Sequence, residues 1–178
     1  VFLTAGVVVD PYGHRWVLTS AASIGVLTPS DLVVTNGSGT IPLTNIVFAP
    51  GHFASPIPGN DLAMLQLSDS ISAPSALLPA APAPSFAGHD GTVVWYDSPL
   101  PQLYEGTGVV LSNQALAAQW GAAAINDGNI GVWLSAPPAA NGPLFVVEPS
   151  GPVLAGIYSW GAGFAPNSPV VYTRVSFF

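Results

Sequence analysis

The chain contains no cysteine and no lysine. Without cysteine it has neither a disulfide framework nor thiolate metal sites, although this says little about its compartment. Arg15 and Arg174 are the whole positive complement, and nine acidic residues bring the formal net charge to −7. Such a surface cannot neutralise a run of phosphates, so nucleic acid and anionic membranes are not expected partners. Charged residues make up 6% of the 178 positions, against roughly a quarter in an ordinary soluble protein. Long apolar runs are missing too: no window approaches the ~20 residues of a membrane-spanning helix. The 19 prolines and 19 glycines are spread through every segment and would break long helices. The 49% hydrophobic content must therefore sit in many short strands and loops.

So little polar material leaves two readings of the surface. One is a neutral globule solubilised by Ser, Thr, Asn and Gly; the other is a protein that packs against others, since monomers rarely expose large apolar patches.

Short β-like runs recur about every ten residues between turn signals, as in an all-β sandwich or barrel. In the first half these are 6–10, 16–19, 32–35, 41–48 and 62–67, with Asn36-Gly37 as a hairpin turn. In the second half they are 92–96, 108–111, 130–134, 144–147, 153–160 and 170–175. The most helix-like stretch is 113–124. Between the halves lies "SAPSALLPAAPAPSFAG" (72–88), whose four prolines cannot occupy a central strand. It divides the chain into an expected N-terminal β-barrel (1–71), a crossover (72–88) and a C-terminal β-barrel (89–178).

Five stretches then fall into a familiar order. "WVLTSAAS" (16–23) resembles the W-V-[LV]-T-A-A-H-C of trypsin/chymotrypsin-like serine proteases, and "NDLAMLQL" (60–67) resembles their N-D-I-A-L-L-[KR]-L. "NGPL" (141–144) resembles the end of G-D-S-G-G-P-L, "GIYSWGAG" (156–163) resembles G-[IV]-[VT]-S-W-G-x-G, and "SPVVYTRV" (168–175) resembles K-P-G-V-Y-T-[RK]-V. The resemblance implies two antiparallel six-stranded β-barrels packed face to face, with the family's active site between them. The family's N-terminal Ile-Val-Gly-Gly segment and C-terminal helix have no counterpart in the sequence, so either the sequence is a fragment or the family's edges are trimmed.

Carried over residue by residue, the chemistry does not survive. The histidine position of the triad falls on Ala22, the aspartate on Asp61 and the serine nucleophile on Ala140. An alanine can neither attack a carbonyl nor relay a proton. The oxyanion-hole glycine becomes Pro138, which has no N–H. The aspartate that would pair with a freed N-terminus becomes Ala139, and the specificity-pocket acid maps to Leu134. Positions paired as cystines in the family hold Thr4 and Ser23, and Ala136 and Phe164; a further half-cystine maps near Gly131. The resemblance thus implies a serine protease homologue with no catalytic residue, a pseudoprotease.

The remaining polar candidates have ordinary readings. His14, His52 and His89 lie beside glycine or in turns, with no H-x-x-x-H or H-x-H pair, so neither a metal site nor a cofactor is expected. A rescued dyad of His52 with Ser20 or Ser23 is the alternative. Asp61 is expected as a buried structural group that accepts hydrogen bonds from the Ala21–Ala22 backbone and from Ser159. Ser159, Trp160 and Gly161 match the family's substrate groove, a candidate binding surface. Asn36-Gly37-Ser38 is a glycosylation sequon. The function expected from all this is a secreted, non-catalytic homologue acting through protein–protein contacts, as a subunit of an extracellular assembly. The alternatives are a regulatory cofactor of an active protease and a carrier of a small hydrophobic ligand in the vacated cleft.

Overall fold

A computed structural model describes residues 5–10, 16–36, 39–52, 60–80, 85–97, 102–134, 142–161 and 168–178. Strands β1 (Val7–Val9), β2 (Trp16–Thr19), β3 (Val33–Thr35), β4 (Thr40–Phe48) and β5 (Ala63–Leu67) form an antiparallel sheet in the order β1-β2-β5-β4-β3. Strands β6 (Asp90–Asp97), β7 (Gln102–Leu111), β8 (Asn129–Leu134), β9 (Pro143–Glu148), β10 (Gly151–Gly161) and β11 (Val170–Arg174) close into a barrel in the order β10-β11-β8-β7-β6-β9. The architecture is the chymotrypsin-like one that the sequence implied. It departs in one respect: among the described residues the first sheet has five strands and stays open, where a closed barrel of six was expected.

Alternation of side chains explains the three apolar clusters. On β2, Val17 faces the inside of the first sheet, with Ala21, Ile24, Leu43 and Leu65. Its neighbour Leu18 points the opposite way and packs with Val7, Val9, Leu154, Ile157 and Val175. Successive strand residues face opposite sides, so a strand covered on both is apolar at consecutive positions, as Trp16, Val17 and Leu18 are, while the buried Thr19 hydroxyl donates to Ala5 O at 2.9 Å. This second cluster brings residues of the first sheet onto β10 and the turn after β11. The third fills the closed barrel with Val93, Val110, Ile130, Val132, Leu144, Val146 and Tyr172, each at most 2% exposed. Burying each such side chain is worth about 1.5–3 kcal/mol, without any cystine.

The chain between β5 and β6 is tied to both sheets by its backbone. Ala76 N–H donates to Val8 O at 2.8 Å, and Leu154 N–H donates to Leu77 O at 2.8 Å. Leu77 thereby forms a parallel bridge with Val153 on β10.

Among the described residues two α-helices interrupt the sheets: α1 (Ala21–Ile24) follows β2, and α2 (Asn113–Trp120) follows β7. The stretch expected to be helical to residue 124 breaks at Gly121, whose φ of 91° an L side chain rarely adopts. It resumes as a 3-10 turn over Ala122–Ala124. Leu116 of α2 is fully buried against Gly131. A Cβ at Gly131 would stand 2.7 Å from Leu116 Cδ1 and 2.9 Å from its Cγ. Near the position where the resemblance implied a half-cystine, a leucine fills the space.

Candidate functional site

The site grows from the end of β2. Ser20 has extended backbone angles, φ −68° and ψ 130°, and stands at the N-cap of α1. A serine there usually accepts a hydrogen bond from the N–H two or three residues on. Ser20 makes no such bond. Its hydroxyl instead faces the carboxylate of Asp61, 2.9 Å from Oδ1 and 3.0 Å from Oδ2. Asp61 takes over the capping: Ala22 N–H donates to its Oδ1 at 2.7 Å. A carboxylate before β5 thus caps a helix that follows β2, and its negative charge complements the helix N-terminus.

The fourth contact comes from the other sheet. Between Tyr158 and Trp160 the pairing of β10 with β11 shifts register, so Ser159 is an extra residue in a bulge. A bulge re-aims a side chain that regular pleating would send elsewhere. Ser159 Oγ donates to Asp61 Oδ2 at 2.8 Å. The expected bonds from Ala22 N–H and Ser159 are both present; the contribution of Ser20 was not anticipated. A sequence signal for it existed, because Ser20 stands where the quoted family motif carries alanine.

Ala22 itself is exposed, with only a methyl group beside the carboxylate. Tyr158 lies close enough for the Asp61 charge to act on it; burial first, and that charge second, raise its phenol pKa. Trp160 is half-buried and packs edge-to-face on Trp120 at the end of α2, ring centroids 5.3 Å apart. That geometry is one in which aromatic pairs attract beyond simple burial. Gly161 has φ 146°, and a Cβ there would meet Val170 Cα at 3.2 Å and Pro169 O at 3.3 Å. Ser159, Trp160 and Gly161 therefore differ in use: one holds the carboxylate, one stacks, and one lets the backbone approach Val170 closely.

The histidine alternative is not assembled. The His52 ring stacks on Phe48 with centroids 5.3 Å apart, while the Ser20 hydroxyl is engaged by Asp61. His89 lies edge-on to Phe86. Among the described residues no three metal-binding side chains gather. Leu134 is half-buried at the end of β8 and packs on the barrel core. Asn36 closes β3, its N–H donating to Gly39 O at 3.3 Å. Thr4, His14, Ala136, Pro138, Ala139, Ala140 and Phe164 lie outside the described residues. Among the described residues no helix is long and apolar enough to cross a membrane.

No protein-family model and no curated protein matches the chain. Solved structures do. Kallikrein-related peptidase 10, in a complex with Zn2+, superposes with a TM-score of 0.75 at 23% identity, covering 97% of this chain and 83% of that one. A likeness at this identity establishes the fold, which is that of the trypsin-like serine proteases.

Proposed function

We propose that the protein is a non-catalytic serine protease homologue that works through protein–protein contacts, as a subunit of an extracellular assembly. The observation that carries this reading is the state of Asp61. In the triad such a carboxylate holds the tautomer of a histidine. Here Ser20, Ala22 N–H and Ser159 engage both its oxygens, and an alanine methyl occupies the position the resemblance assigns to the imidazole. The carboxylate has become a cap and a link between sheets.

The assembly role is supported by what the barrel leaves outside. Val110 and Val146 point inward, while Leu103 and Val109 on β7 and Val147 on β9 are 70%, 47% and 67% exposed. With 6% charged residues in the chain, few charges separate such side chains from a neighbouring molecule.

A fluorophosphonate probe, which labels activated serines, tests the first half of this reading. No labelling is expected for the wild type beside a labelled active trypsin. Labelling that disappears in Ser20→Ala or Ser159→Ala would overturn it. Sedimentation velocity tests the second half: concentration-dependent association is expected, and a strict monomer at high concentration would count against it.

A further inference from the structure

Strand β7 is paired unequally on its two sides. Toward β6 the register runs unbroken from Asp90↔Val109 to Asp97↔Gln102. On the other side β8 reaches only residues 108–111. Among the described residues, 102–107 therefore form a strand edge with no neighbour in register.

The phase of the strand identifies the groups on this edge. Val110 turns its backbone toward the start of β6, accepting from Gly88 N–H at 2.8 Å and donating to His89 O at 2.9 Å. Neighbouring residues of a strand turn opposite ways, so Val109 serves β8, while Thr107, Glu105 and Leu103 present N–H and C=O to the open side. Continuing the β8 register along them would bring Pro137 opposite Glu105, and proline has no N–H to give. The chain's own sequence cannot complete this ladder.

A bare strand edge has one natural complement, another extended backbone. Leu103 is 70% exposed, and Glu105 and Thr107 are exposed beside it, so the approach is open. Natural edges are commonly blunted by proline or by several charges; residues 102–107 hold no proline and one charge, that of Glu105. That charge selects the occupant. Two copies pairing this edge about a two-fold axis, in the register that uses every one of these residues, would set Glu105 directly opposite Glu105, and like charges there repel. The chain as a whole has two arginines against nine acidic residues, so a basic partner is the complementary one. We propose that β7 takes up an extended segment of a partner protein as an added antiparallel strand, with a basic residue opposite Glu105 and an apolar one opposite Leu103. The proposal rests on the reading of the protein as a subunit of an assembly, and it supplies the chemistry of one contact.

The probe is the acetylated and amidated peptide Thr-Thr-Lys-Thr-Val, titrated into isotope-labelled protein and followed by amide NMR. The Leu103, Glu105 and Thr107 amides should shift and saturate. N-methylation of the peptide's lysine, whose N–H faces β7, should weaken binding about tenfold; N-methylation of the next threonine, whose N–H faces away, should not. Exchanging the lysine for glutamate should weaken binding about fivefold, and Glu105→Lys should reverse that preference. Circular dichroism establishes whether Glu105→Lys is folded; if it is not, the peptide series on the wild type decides. Failure to saturate, shifts confined to other amides, equal tolerance of both methylations, or indifference to the charge exchange overturns the proposal. Shifts of the same amides with protein concentration alone would assign the edge to a second copy and overturn it too. Association in sedimentation velocity with no response at these amides would leave the assembly reading standing and overturn this one.

Discussion

The Ser20 hydroxyl is shared between both oxygens of Asp61, at 2.9 and 3.0 Å, and lies on a residue only 6% exposed. Ser20→Ala removes this donor and leaves the carboxylate partly buried with one bond fewer. A loss of about 1–2 kcal/mol is expected. Urea denaturation would measure it as a lower midpoint with an unchanged slope. An unaltered midpoint would mean that Ser20 contributes nothing to holding Asp61.

Asp61→Ala should cost more, because it strands Ser20, Ser159 and Ala22 N–H together. About 2–4 kcal/mol is expected, below the sum of separate deletions because the contacts form one network. Thermal melts of the single and double variants with Ser159→Ala would reveal the coupling. Strictly additive losses would contradict a shared network.

Gly156 is a position where the barrel has no spare room. A Cβ there would meet Tyr172 Cβ at 2.8 Å, Ile130 Cγ2 at 2.9 Å and Thr173 O at 3.2 Å. Gly156→Ala should destabilise the protein by about 1–3 kcal/mol, since neither the backbone nor a Cβ yields easily. Denaturant melts of this variant provide the check.

Alkaline pH should act through Tyr158 and Tyr172. Burial raises both phenols above the usual tyrosine range; at Tyr172 the neighbouring Tyr158 adds to it, and at Tyr158 the Asp61 charge does. Between the unfolded pKa of about 10 and the folded values, the native state keeps protons that the unfolded chain has lost. Stability is therefore complete below about pH 10 and falls as pH rises toward the folded values. Urea midpoints taken from neutral into strongly alkaline solution should decline, and the decline should be shallower in Tyr158→Phe.

The strands were legible because their chemistry is local. Trp16, Val17 and Leu18 are consecutive apolar residues, and the strand read over 16–19 is β2 at Trp16–Thr19. Strand β7 was read only from Gly108, yet it begins at Gln102. Glu105 and Gly106, both poor strand formers, interrupt the run that includes Leu103 and Tyr104, and pairing with β6 carries the strand through them. Helix α1 was missed for a similar reason: four residues carry no helical period, and its cap comes from Asp61, 39 residues away from the N–H it accepts. The resemblance gave Asp61 and Ser159 as a pair. For Ser20 the one signal is its departure from the motif's alanine, which marks the position but not its partner.

The segment after β5 has a consequence for how the molecule divides. Ala76 is bonded to β1, and the very next residue is bonded to β10. A cut after residue 80 would leave the first fragment carrying the extended piece that pairs with Val153, and the second fragment without that partner. Expressed as two polypeptides and mixed, they should reconstitute into one particle, with the severed crossover still stitched across the seam.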